Sequence, residues 1–133
     1  MRRLVPTFIL EKYKSNVMKG VFPAAAIFVD ISGFSKLTDT LARHGQHGAE
    51  VLADLMRVIF EPLVNTVYEH GGFVVGYAGD AFNALFPSDQ FTGQEVKRCL
   101  AALTAIQEHI RNHPQIQTVY GNFPLSVKAG MGF

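Results

Sequence analysis

Residues 24–34 read AAAIFVDISGF, an apolar run that ends on a carboxylate and passes at once into Ser-Gly. Ala26, Ile27, Phe28 and Val29 predict a buried strand, because the run is too short and too β-branched for a helix. Asp30 closes that strand, where a buried charge costs several kcal/mol unless it is paired or bound to a metal. Ser32 is placed to N-cap a helix beginning near Gly33, with Phe34, Leu37 and Leu41 on one face. Free N–H groups and the dipole at such a helix start favour phosphate. A carboxylate suited to a cation therefore stands beside a cradle suited to an anion, as a metal–phosphate ligand requires. The same residues, taken alone, also describe a surface Asp at a strand end followed by an ordinary capped helix.

Working outward, Met1 to Gly20 offer only a short stripe, Phe8, Ile9 and Tyr13 after Pro6, that predicts a lead-in helix broken by Gly20 and Pro23. Beyond Leu41, Gly45 and Gly48 mark a break. His44 and His47 stand three apart there, a metal-ligand spacing without a third ligand, so an exposed turn is the expectation. Residues 49–70 predict a long helix, with Leu52, Leu55, Met56, Ile59, Leu63 and Val67 buried and Pro62 kinking or interrupting it. Gly71-Gly72 ends that helix. Residues 73–78 and 81–86 then predict two strands joined through Gly79-Asp80, a two-residue hairpin signal, with Pro87 as the stop. Thr92 and Glu95 form a capping box for another helix, with Val96, Leu100, Leu103 and Ile110 as its buried stripe. From Leu125 the chain alternates: Val127, Ala129, Met131 and Phe133 on one face, Ser126, Lys128, Gly130 and Gly132 on the other.

Composition sets the class. The 133 residues are 48% hydrophobic and 17% charged, which suits a compact domain with a substantial core. A net charge of +1 argues against nucleic acid or a membrane surface as partner. Cys99 is the only cysteine, so no internal disulfide can form, and a reducing, cytoplasmic setting is expected. No run approaches the ~18 apolar residues of a membrane span, and no signal-peptide core is present.

The order β–αα–β–β–α–β predicts an α+β fold with a ferredoxin-like (split βαβ) core, an antiparallel sheet with helices on one face. In that topology the first and third strands are central antiparallel neighbours. Asp30 then comes to lie beside the hairpin that carries Asp80, fifty positions on. Two carboxylates so close are unfavourable unless a cation lies between them or one is protonated. The topology alone therefore predicts a metal site.

FVDISGF at residues 28–34 and AGDAF at residues 78–82, with the GxxGAEVL helix start between them, resemble the class III nucleotidyl cyclase catalytic domain, most closely its soluble, bicarbonate-responsive adenylate cyclase type. The likeness is stronger over residues 24–86 than over residues 92–133. It implies that Asp30 and Asp80 hold two divalent ions, Mg²⁺ or Mn²⁺, with the Ile31 carbonyl as a further ligand. The backbone of Ser32, Gly33, Phe34 and Ser35 would hold the β- and γ-phosphates of ATP. It also implies that one metal acidifies the ribose 3′-hydroxyl for attack on the α-phosphorus while the other neutralises the triphosphate, giving 3′,5′-cyclic AMP and pyrophosphate.

Two departures from the family pattern shape the expectation. The base-reading lysine found in many members four residues before the second aspartate is Gly76 here. The family's later Asn and Arg, which stabilise the transition state, lie beyond the pattern that Phe133 closes. Residues 1–22 are thus expected to be a lead-in segment, and residues 23–133 the N-terminal core of a catalytic domain without the family's C-terminal part. By the resemblance, such a chain is expected to be the metal-donating half of a dimeric site and inactive alone. A second cyclase-type domain, in tandem or as a heterodimer, would supply the Lys, Asn and Arg. Other classes remain open: a non-catalytic nucleotide-binding regulatory module, or another enzyme on the same palm-like sheet. A diguanylate cyclase would carry Gly-Gly-acidic on the hairpin, where this chain has Ala78-Gly79-Asp80.

Overall fold

The structure is a computed structural model and describes Glu11, Lys14, residues 24–88 and residues 93–132. The expected lead-in helix around Phe8, Ile9 and Tyr13, the Thr92 end of the capping box, and Phe133 lie outside the described residues.

Over residues 24–88 and 93–132 the elements run β1 (Ala24–Ser32), α1 (Phe34–Ala42), α2 (Gly45–Glu69), β2 (Phe73–Ala78), β3 (Ala81–Pro87), α3 (Gln94–Asn112), β4 (Gln115–Thr118), β5 (Gly121–Pro124) and β6 (Ser126–Gly132). The main sheet runs β2-β3-β1-β6, antiparallel throughout, as the split-βαβ order requires. Alternation in β1 decides its two faces. Ala25, Ile27, Val29 and Ile31 are buried in one core with Phe82, Ala84 and Phe86 of β3, whereas Phe28 on the other face is 46% exposed. The helices cover the first face, through Leu37 and Leu41 of α1, Leu63 and Val67 of α2, and Cys99, Ala102 and Ile106 of α3. This is the α+β architecture that the hydrophobic pattern predicts.

Several local expectations change. Ser32 does not cap α1: it is the last residue of β1, and Gly33, left-handed at φ 93°, is the N-cap with no side-chain hydrogen bond. The ladder to β6 claims Ser32, which pairs with Ser126, so the chain turns one residue later. α3 likewise opens from a left-handed glycine, Gly93 at φ 82°, with no side-chain cap hydrogen bond. Its buried stripe is Glu95, Cys99, Ala102, Ile106 and Ile110, and Leu100 of the expected stripe is 48% exposed.

α2 begins at Gly45, four residues before the expected start, so Gly48 lies inside the helix rather than in a break. A Cβ on Gly48 would overlap the Leu41 carbonyl, which is how α1 and α2 come so close. Pro62 is inside α2 and the helix continues on both sides of it, with Thr66 Oγ1 donating to the Pro62 carbonyl at 2.8 Å. The sequence pattern also missed a two-stranded sheet, β4 with β5, between α3 and β6. The Leu125 N–H donates to the Pro114 carbonyl at 2.8 Å and closes its base.

Candidate functional site

The β1–β3 ladder places Asp30 opposite Ala81, next in sequence to Asp80. The Ile31 N–H donates to the Asp80 carbonyl at 3.0 Å, so the backbones that carry the two carboxylates are tied together. Both aspartates are half-buried. Asp30 lies on the open face of the sheet, because its neighbours Val29 and Ile31 are wholly buried on the helical one.

On the other side of β1, Lys128 of β6 pairs directly with Asp30. Residues directly opposed across antiparallel strands share a face, so a cation stands beside the carboxylates. Lys128 was absent from the sequence-based site. Alternation assigns it to the polar face of the last strand, but only the β1–β6 register brings it to Asp30.

The turn into α1 lies at the same end of the sheet. Phe34 is buried and meets Phe60 of α2 edge-on, with ring centroids 6.1 Å apart. The Ile31 side chain is also wholly buried, while Gly33 and Ser35 are exposed. With Ile31 and Phe34 committed to the core, the segment 31–35 offers a ligand chiefly its backbone. Gly33 is needed twice over: its φ is disfavoured for an L-residue, and a Cβ there would overlap the Pro124 carbonyl oxygen.

Asp30, Asp80 and a backbone carbonyl are hard oxygen donors of the kind that suit Mg²⁺ or Mn²⁺. Among the described residues no cluster of three or more His, Cys, Asp or Glu could hold a metal. Two carboxylates alone still fit Mg²⁺, which commonly takes one or two and fills its remaining positions with phosphate oxygens and water. Gly76 lies opposite Asn83, and a Cβ built on it would meet nothing within 4 Å. That part of the open face is unencumbered.

Other polar groups are accounted for elsewhere. His44 and His47 are both exposed, but only His44 lies in the α1–α2 turn, as the N-cap of α2, while His47 stands in the first turn of that helix; both engage Tyr120 of the β4–β5 turn. Burial pushes the Cys99 thiol up to about 11, so it is not a nucleophile at neutral pH. A cavity of about 280 Å³ between α2, α3 and β4, lined by Val58, Pro62, His109 and Ile116 among others, takes no residue from β1 or the β2–β3 turn. No helix among the described residues is long and apolar enough to cross a membrane.

No protein-family model matches the chain. It is 27% identical over 112 residues to adenylate cyclase type 10 of Rattus norvegicus, an alignment covering 83% of this chain and 7% of that protein. The chain thus spans a small part of that relative's length. Among solved structures, the adenylyl cyclase CyaB from P. aeruginosa superposes with a TM-score of 0.64 at 22% identity, over 81% of this chain and 54% of that one. A dimeric guanylyl cyclase domain of the RhoGC fusion protein from Blastocladiella emersonii gives 0.64 at 16% identity, over 85% and 58%. At those identities the superpositions establish the fold.

Proposed function

We propose, from the premise that this chain is a class III nucleotidyl cyclase-type domain, that it supplies the metal-holding half of a cyclase active site. Residues 23–133 would form that half and residues 1–22 lead into it. The reaction proposed is conversion of ATP to 3′,5′-cyclic AMP and pyrophosphate, in the cytoplasm. One observation carries the reading: the Ile31 N–H bond to the Asp80 carbonyl and the Asp30–Ala81 pairing tie together the backbones that carry the two aspartates, next to the start of α1.

Each group has a physical role. Asp30 and Asp80 would hold two Mg²⁺ or Mn²⁺ ions, joined by the Ile31 carbonyl. The ions, when bound, would supply Lewis acidity at the ribose 3′-hydroxyl and charge neutralisation at the triphosphate. The backbone of residues 32–35, at the start of α1, would hold the β- and γ-phosphates, because unpaired N–H groups and the dipole at a helix N-terminus favour an anion. Lys128, next to Asp30, adds a positive charge for the same oxygens. No side-chain nucleophile is needed.

The missing contacts define the partner. Gly76 has no side chain with which to read a base, and a Cβ built there would meet nothing within 4 Å. A second cyclase-type domain, supplying the base-reading Lys and the transition-state Asn and Arg, would complete the site, as in a tandem or heterodimer. The likeness to adenylate cyclase type 10 favours ATP, and GTP is the control substrate.

The test is a cyclic-nucleotide assay on the chain alone, a complementary domain alone, and the mixture, each with ATP and with GTP. Cyclic AMP from the mixture only is expected. Robust product from the chain alone would overturn the half-site. A silent mixture that still binds Mn²⁺ with ATP would instead establish the non-catalytic regulatory module.

A further inference from the structure

The β4–β5 hairpin reaches both ends of α1. At its foot, the Pro124 carbonyl lies so close to Gly33 that no Cβ could stand between them. At its tip, the Tyr120 ring stacks on His44, with centroids 3.8 Å and planes 15° apart. The Tyr120 hydroxyl hydrogen-bonds with His47 Nδ1, and the His47 ring meets Tyr120 edge-on at 5.7 Å. His44 is the N-cap of α2, so the clasp falls on the joint between the two helices. Between foot and tip, Phe123 is buried in the main core. The hairpin is a strap fastened at either end of α1 and anchored between them in the core.

The hairpin's own hydrogen bonds involve neither end contact. Its ladder, the 2.8 Å closure of Leu125 on Pro114 and the Tyr120 N–H bond to Thr118 Oγ1 at 3.0 Å are internal to residues 114–125. The end contacts therefore act on α1. Tyr120 offers both an apolar face for His44 and a hydroxyl for His47, and that hydroxyl can accept or donate according to the histidine's protonation.

We propose that Tyr120 is a positioning residue for the nucleotide site. Clasped by His44 and His47, it holds the strap along α1, and the strap's Pro124 carbonyl keeps Gly33 in the left-handed conformation that aims the first α1 amides. This rests on the reading of residues 32–35 as the phosphate cradle, and the experiment separates the two. The first reporters are the Leu37 and Thr38 amides, whose intrahelical acceptors are the Gly33 and Phe34 carbonyls.

Amide hydrogen exchange is measured on the whole chain, without metal or nucleotide, for wild type, Tyr120→Phe, Tyr120→Ala and the double variant His44→Ala/His47→Ala. Tyr120→Ala is expected to speed exchange at Leu37 and Thr38 about tenfold, the signature of a local opening, with Ile106 in α3 unchanged. Tyr120→Phe, which keeps the stack and loses the hydrogen bond, should fall between. The double histidine variant changes only exposed positions, and it carries the same test if Tyr120→Ala fails to fold. Faster exchange confined to residues 119–123, or equal acceleration at Ile106, overturns the strap and leaves the cradle untouched. Calorimetry with Mn²⁺ and ATP follows, and about tenfold weaker nucleotide binding is expected in the loosened variants. Loosening of α1 with undiminished Mn²⁺–ATP affinity overturns the positioning role and the cradle together.

Discussion

Two helices of this chain start in the same way and to different ends. α1 opens from Gly33 and α3 from Gly93, both left-handed and both without a side-chain cap. Their surroundings differ. Gly33 follows the strand that carries Asp30 and is pressed against the Pro124 carbonyl, whereas a Cβ on Gly93 would meet nothing within 4 Å. Each helix start presents free N–H groups, yet only the first has two carboxylates and Lys128 at the same end of the sheet. A helix N-terminus becomes a candidate nucleotide site through what the sheet sets beside it.

The largest test of that contrast is charge removal. In the mixture with a complementary domain, Asp30→Asn should reduce cyclic AMP formation to background, a loss of at least ~10²–10³ in rate. Glu95, in the first turn of α3, is the matched control: it is buried, and its Oε2 has no hydrogen-bond partner among the described residues. Glu95→Gln should leave the rate of folded protein within about twofold. Equal losses from the two variants would abolish the distinction between the helix starts.

The next test is steric. Gly93→Ala forces an L-residue into the left-handed region and should cost ~1–2 kcal/mol. Gly33→Ala adds the overlap with Pro124, an overpacking term of ~1–3 kcal/mol. Its denaturant midpoint should therefore fall further than that of Gly93→Ala. The reverse order would mean that the strap yields freely at its foot.

How much of this could be read from sequence follows from where the signals lie. The β1 run, the Gly79-Asp80 turn and the long α2 stripe are strong because burial on one face imposes a period on the residues. From them the strand order follows, and with it the backbone neighbourhood of Asp30 and Asp80. The capping at Ser32 was misread because ladder pairing with Ser126 outweighs a local side-chain hydrogen bond. The β4–β5 hairpin was missed because only Phe123 of its strands is buried, and Val119 at its turn is 78% exposed. Lys128 was on the right face of the right strand, yet a register between strands about a hundred residues apart leaves no trace in a single sequence.

The smallest expected effect lies at the far end of α3, and it sharpens the contrast by showing titration without function. His109 stacks on His113, with ring centroids 4.5 Å apart. Its pKa is lowered from an ordinary value of 6.5, chiefly by burial and further by repulsion from His113. A helix C-terminus would favour the protonated ring, so the downward direction means that desolvation prevails. In the unfolded chain His109 therefore takes up its proton at higher pH than in the folded one. By linkage its contribution to stability is fully present above the unfolded value near 6.5 and is lost as the pH falls below it. Unfolding midpoints measured from pH 7.5 to pH 5 should decline, and His109→Gln should decline less over the same window. If the two curves run parallel, the ring titrates alike in both states, and burial at this end of α3 has no consequence for stability.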